Sequence, residues 1–356
     1  MPYHGPPELT LARALTEWTL DPWALILVLV LGGGYLACMR RVRRTGQDWS
    51  VARPIWFLGL GLGPLVLATM SWVGAYQSVL FYARAAQTVL LVLVVPLFLA
   101  MGRPISLVIA TLPRLGPRIE SAIKSPVAKV LTFPAVTTFA LVIVPFVMYF
   151  SPWYAASFHS TLVRLLTYLA LMAAGFMYYW TLLRVDPVPK QYSYAVSMWI
   201  TAAQVVGDAV LGIAVIADTG IIGAAWYHAL ARPWGPTLQV DQVIGGGVLW
   251  VLGDLVGLPF LAAQFIHLMR EDETEAVRID AELDARDAAH EAAQAQPAVS
   301  VTVSAPAIAG GVATGSGAAG SGAAESGTQR PWWEADSRFS DRFSPVTPDS
   351  ESRNSK

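Results

Sequence analysis

Four ionisable side chains sit inside stretches of sequence that are otherwise apolar: Arg84, Arg164, Asp208 and Asp254. A charge at the centre of a membrane helix costs at least ~2.5–3.5 kcal/mol on insertion scales, so such residues pair, snorkel or line a functional path. At a rise of ~1.5 Å per residue, Arg84 and Asp208 both fall about 10 Å below the outer surface of a bilayer ~30 Å thick. Equal depth and opposite sign predict an ion pair between them, with separate solvation as the alternative. Arg164 lies roughly 6 Å from that surface, close enough to snorkel, and Asp254 is near the midplane. An ion or proton path would want carboxylates at successive depths, and only Asp208 and Asp254 are present, with no Lys or His between them.

A second set of residues has the chemistry of copper ligands. Met70, Met148, His159 and His228 all project toward the outer rim. Thioether and imidazole suit Cu(I). They come from four separate segments, however, and Met is also an ordinary core filler, so a packing role competes with a metal role. At the mouth of the last apolar run, Asp241-Gln242 precedes Gly245-Gly246-Gly247 and Trp250. Asp241 there has the character of a helix N-cap, and the glycines that of a packing face. No hydrolase elbow, metalloprotease helix, phosphate loop or dinucleotide fingerprint occurs, and an enzyme is not expected. The histidines His4, His159, His228, His267 and His290 never stand three or four apart, which argues against a haem held between transmembrane helices.

The elements that must position these residues are membrane spans. Of 356 residues, 54% are hydrophobic and only 14% charged, with mean hydropathy +0.49. Soluble domains carry about 25% charged residues. Seven runs reach the ~20 residues needed to cross, at about 20–39, 54–74, 78–101, 127–150, 160–183, 195–217 and 242–269. Alternate loops are basic: Arg40, Arg41, Arg43, Arg44 and Arg53, then Arg103, Arg114, Arg118, Lys124 and Lys129, then Arg184 and Lys190. The positive-inside rule places these loops in the cytoplasm, the N-terminus outside and the C-terminus inside. The expected organisation is an all-α polytopic bundle. Residues 1–19 form an extracytoplasmic N-terminus, 20–269 the seven-helix membrane domain, 270–294 an acidic cytoplasmic helix and 295–356 a disordered low-complexity tail containing Trp332-Trp333. No basic domain stands apart from the spans, so nucleic acid is not an expected partner, and the lone Cys38 excludes an internal disulfide.

Three places carry a resemblance to a known family. Gln87, Leu90-Leu91, Pro96 and Gly102-Arg103-Pro104 form the first; Gly175, Trp180 and Asp186-Pro187 the second; Tyr227, then Asp241-Gln242, Gly245-Gly246 and Trp250 the third. Together they resemble the CtaG family of cytochrome c oxidase assembly factors, seven-span proteins of bacterial membranes. The resemblance covers most of residues 20–269 and its last block is the most specific. It implies a multi-pass protein of the bacterial plasma membrane that serves biogenesis of a haem–copper oxidase, aids copper delivery on the outer side, and has oxidase subunits or another copper chaperone as partners. Typical members carry histidines where this chain has Arg84 and Thr88 in span 3 and Arg164 and Tyr168 in span 5. An arginine is cationic at any accessible pH and cannot ligate copper. A non-metal scaffold of the same fold is therefore an alternative, and a small-solute transporter or channel is another.

Overall fold

The computed structural model describes residues 3, 5–190 and 192–295. After the short α1 (Leu11–Thr16) come α2 (Pro22–Arg44), α3 (Ala52–Tyr76, with a serine break at Ser71) and α4 (Phe81–Met101). Three short helices follow, α5 (Pro104–Thr111), α6 (Gly116–Ile123) and α7 (Pro126–Leu131). Then come α8 (Pro134–Tyr149), α9 (Trp153–His159), α10 (Thr161–Leu183), α11 (Tyr194–Ala217), α12 (Ala224–Leu230) and α13 (Leu238–Ala295). No strand occurs among the described residues. The architecture is an all-α polytopic membrane bundle.

Among the described residues, six helices are long and apolar enough to cross a membrane, and a seventh crossing exists if α8 and α9, bent by 69°, count as one span. The fourth expected run, 127–150, is divided between α7 and α8. Pro126 and Pro134 each open a new helix, as a residue without an N–H does best at a helix start. The 16 residues of α8 reach only about 24 Å at ~1.5 Å per residue. Residues 296–356, which hold most of the expected tail and Trp332-Trp333, lie outside the described residues.

Burial identifies the central post. Of the apolar stretch of α4, 67% is buried inside the protein, against 22% for α2. Midway along α4 the backbone is irregular. Pro96 has no N–H to give the Val92 carbonyl four residues back, and α4 widens to a π-helix over Leu90–Val94. The neighbour α10 meets this point with Gly175, where a Cβ would stand 2.0 Å from the Val92 oxygen and 2.7 Å from Pro96 Cγ. Two residues of separate sequence motifs are therefore one packing joint. Contacts at the two ends fix the helix directions. Asp21, Met70, Phe81, Ser160 and Asp241 share the upper end, where α2, α4, α10 and α13 begin and α3 ends. Tyr35 OH donates to the Gly102 carbonyl at 2.8 Å near the lower end, where α2 and α4 finish. The helix α11 begins at this lower end, with the Arg184 guanidinium 3.1 Å from Ser197 Oγ.

Candidate functional site

Arg84 lies one turn into α4 and is only 1% exposed. Its Nη1 donates to Gln77 Oε1 and to Gln87 Oε1, both at 2.8 Å, and its Nη2 donates to Ser157 Oγ at 3.0 Å. Met148 Sδ is 3.9 Å from Nη2, and the Phe158 ring lies with its centroid 5.5 Å from the guanidinium carbon. Each acceptor is itself anchored. Gln87 Nε2 donates to the Ala68 carbonyl at 2.8 Å, Gln77 Nε2 donates to Tyr168 OH at 3.0 Å, and Ser157 Oγ donates to the Tyr154 carbonyl at 2.7 Å. Thr88 Oγ1 returns a bond to the Arg84 carbonyl at 2.9 Å and lies 3.1 Å from Tyr149 OH. Above this layer, Tyr154 OH and Tyr227 OH are 2.8 Å apart. The cation is thus held by neutral oxygen dipoles, an aromatic face and a thioether, with Nε left without a partner. No carboxylate forms an ion pair with Arg84 among the described residues.

The expected Arg84–Asp208 pair does not form. Asp208 Oδ2 accepts instead from Gln204 Nε2, four residues earlier on α11, and Gly253 of α13 lies close against the same carboxylate. A small cavity of about 10 Å³, bounded by Thr88, Pro145, Asp208 and Leu249 among others, separates the two sides. The physical reason is direction. Side chains lean toward the N-terminus of their own helix. The helices α4 and α11 start at opposite ends of the bundle, so two side chains at one depth lean apart, Arg84 up to Gln77 and Asp208 down to Gln204. Asp254 also faces inward, with Oδ1 unpartnered.

Asp241 is not the N-cap expected of it. Thr237 takes that role, its Oγ1 accepting from Val240 N–H at 3.4 Å. Asp241 is one turn inside α13 and 1% exposed. Its Oδ2 is 3.2 Å from Arg232 Nη1, and its Oδ1 accepts the Tyr82 N–H at 3.1 Å. Arg232 lies with its guanidinium carbon 5.2 Å from the Trp234 ring centroid and donates to the Pro236 carbonyl. Asp241 therefore fastens α13 to the first turn of α4. Gln242, fully buried, accepts from Ile222 N–H at 2.8 Å and donates to the Gly220 carbonyl at 2.9 Å, which stitches the 218–222 loop to α13. Gly245 packs on Phe81 and Gly246 on Gly212 and Ile216 of α11, as expected of a packing face, whereas a Cβ at Gly247 would meet no neighbouring group within 4 Å. Trp250 covers Gly212 and is otherwise 38% exposed.

At the lower end, Asp186 closes another joint between sequence motifs. Its Oδ2 accepts from Ile105 N–H at 3.2 Å and its Oδ1 from Ser106 N–H at 2.9 Å, so it caps the helix that Pro104 opens. Burial pushes its carboxyl above the ordinary carboxylate range, against the lowering effect of the Ser106 and Ile105 hydrogen bonds.

Residues 33–271 match the family of cytochrome c oxidase caa3 assembly factors, Caa3_CtaG. The chain belongs to this family. Among curated relatives, uncharacterised proteins of Mycobacterium bovis and Mycobacterium tuberculosis are 29% identical over 291 residues, and one of Mycobacterium leprae is 29% identical over 295 residues. Each alignment covers 79% of this chain and 44% of the relative, so the chain spans less than half the length of the curated relatives it matches. No solved structure matches.

Within this assembly-factor fold, the positions singled out in spans 3 and 5 separate into two groups. Arg84, Gln87, Thr88 and Tyr168 meet in the buried cluster. Arg164 does not join them. It sits at the rim, 29% exposed, with Nε 3.4 Å from Asp21, the residue that caps α2. The cluster does not fit copper. Its centre is filled by a guanidinium, and the one thioether, Met148, is spent on that cation. His159 and His228 are exposed on α9 and α12, His159 with its ring edge-on to Trp226 at 4.9 Å, and Met70 is packed in the core. No hydrogen bond, ion pair or ring contact joins any two of Met70, Met148, His159 and His228, and no group of three or more His, Cys, Asp or Glu able to hold a metal occurs among the described residues. Sequence reasoning missed Gln77, Tyr149 and Ser157, which complete the cluster. The one available signal was that Arg84, Gln87 and Thr88 on a buried helix need polar partners from elsewhere.

Proposed function

We propose that this chain is a non-catalytic assembly factor for a haem–copper cytochrome c oxidase in the bacterial plasma membrane, working through protein contacts of its helix bundle and carrying no copper at the span 3–span 5 cluster. Family membership supports the assembly role. The observation that carries the copper-free reading is Arg84. A buried guanidinium engaged by Gln77, Gln87 and Ser157 supplies, permanently and without metal, the positive charge a Cu(I) ion would bring to that place. A second cation there would meet the first without a carboxylate between them. The N-terminus-outside orientation follows from the basic loops and puts the cluster in the outer half of the membrane.

The deciding experiment is deletion of the gene, followed by measurement of oxidase activity and copper-centre absorption with and without added copper. The expected result is loss of assembled oxidase that copper in the medium does not restore. Restoration by copper overturns the copper-free reading in favour of copper delivery. Normal oxidase in the deletion strain overturns the assembly role. Copper content of the purified chain gives a direct check, with wild type expected well below one copper per chain and unchanged by His159→Ala with His228→Ala.

A further inference from the structure

One side of α2 is neither packed nor paired. Arg40, Arg41, Arg43 and Arg44 end the helix, and Arg40, Arg41 and Arg44 surround Ala37 in a shallow surface recess at its lower end. All four arginines are used by no hydrogen bond or ion pair of their side chains among the described residues. Directly above them, between α2, α3 and α5, runs an apolar groove of about 230 Å³ lined by Val30, Gly34, Tyr35, Cys38, Phe57 and Val108. It continues into a larger groove of about 460 Å³ that reaches Leu27 and extends to Leu99, Met172 and Phe176. Leu31, Phe57, Pro104 and Val108 line both.

The geometry points to a site for one anionic phospholipid, its phosphate held by Arg40, Arg41 and Arg44 and its acyl chains laid in the groove. Positions 30, 34, 37 and 41 follow one another at steps of four, three and four, so groove floor and arginine recess form a single stripe along α2. From Leu27 to Cys38 the groove spans about 16 Å at ~1.5 Å per residue, close to one leaflet of a ~30 Å core. The charge is complementary to a phosphate diester, and guanidinium forks match its oxygens. The polar ring of Trp49, with Nε1 3.4 Å from Tyr35 OH and Arg53 over its face at 4.3 Å, sits beside the groove at the level expected of an interfacial anchor. A transmembrane helix of a partner would fit the groove, but nothing in that helix would account for the three unpaired arginines of the recess beside it. A bound lipid would give an assembly factor of this shape a fixed orientation against its client in the membrane.

Gly34 makes the test sharp. A Cβ at Gly34 or at Gly33 meets no neighbouring group within 4 Å, so both positions have open space for the first atom of a side chain, but only Gly34 lines the groove. The full chain is purified in mild detergent, its retained lipids are counted by native mass spectrometry, and binding is then repeated with nanodiscs of phosphatidylglycerol or phosphatidylcholine. The expected result is one anionic lipid per chain, retained by Gly33→Leu and lost from Gly34→Leu. Combining Arg40→Gln, Arg41→Gln and Arg44→Gln should weaken retention on the order of a hundred-fold, from about one kcal/mol per arginine near an anionic headgroup. Equal retention of the zwitterionic lipid, equal behaviour of the two leucine variants, displacement by inorganic phosphate alone, or a co-purifying helix in place of lipid would each overturn the proposal.

Discussion

The coupling between Arg84 and Gln87 is the number that decides whether the buried cluster is organised as described. In the folded protein both side chains are 1% exposed and joined at 2.8 Å. Arg84→Met alone leaves Gln87 Oε1 buried without a donor and Gln77 Oε1 with only the Tyr168 hydroxyl at 3.3 Å, and Gln87→Leu alone removes one of three oxygens that hold a cation with no carboxylate beside it. Each single change therefore costs stability, and the double change loses the shared bond only once. A hydrogen bond to a charged group contributes about 1.5–3 kcal/mol in soluble proteins. Measured couplings inside membrane proteins average about 0.6 and reach about 1.7 kcal/mol, because the unfolded chain also finds partners. The short distance and complete burial put this pair at the upper part of that range, about 1–1.7 kcal/mol. The assay is a double-mutant cycle by reversible unfolding in bicelles, with Arg84 and Asp208 as the second pair. A coupling of Arg84 to Asp208 as large as that to Gln87 refutes the reasoning and restores the ion pair across α4 and α11, and no coupling to Gln87 refutes the cluster as described.

Three other outcomes follow from the same structure. Gly175→Ala drives a methyl to 2.0 Å from the Val92 carbonyl oxygen; it should cost upwards of ~3 kcal/mol or abolish accumulation, whereas Gly247→Ala stays within about 0.5 kcal/mol, read by unfolding and by protein level. Arg232→Met strands the buried Asp241 carboxylate and should destabilise by about 3–5 kcal/mol, with Asp241→Asn added to it recovering a good part, again by unfolding. For Asp186 the folded-state carboxyl is raised by burial. The stability it contributes is therefore present at pH below its ordinary range and lost as pH rises through the folded value. Hydrogen exchange of the Ile105 and Ser106 amides, corrected for intrinsic rates, should show tighter protection as pH falls through that value, and Asp186→Asn should remove this dependence.

How far the site was legible differs from residue to residue. Arg84 announced itself, since a lone charge in an apolar run has to be compensated. Its compensation could not be foreseen, because Gln77 comes from the turn after α3, Met148 from α8 and Ser157 from α9. Depth alone paired Arg84 with Asp208; the direction in which each side chain leaves its helix unpaired them. Asp241 fitted a cap by its position ahead of an apolar run, yet the helix starts a turn earlier, at Leu238, and turns Asp241 inward onto Arg232 and Tyr82. Pro96 and Gly175, and likewise Pro104 and Asp186, were read as separate pieces of a pattern and proved to be two joints.

By itself the sequence determined the class of the molecule, the number of apolar runs to within one, and the family. Each of these depends on composition, run length and residue order, all of which are properties of the unfolded chain. It also excluded Arg84 and Arg164 as metal ligands, because that is a property of the guanidinium wherever it lies. Only the tertiary structure decided which charges meet, that the fourth apolar run is divided between α7 and α8 with a 69° turn into α9 beyond it, and that the buried cluster near the upper end is a guanidinium held by neutral oxygens. Those outcomes depend on where helices distant in sequence place their side chains, and a periodic apolar pattern fixes the buried face of a helix without naming the neighbour that faces it.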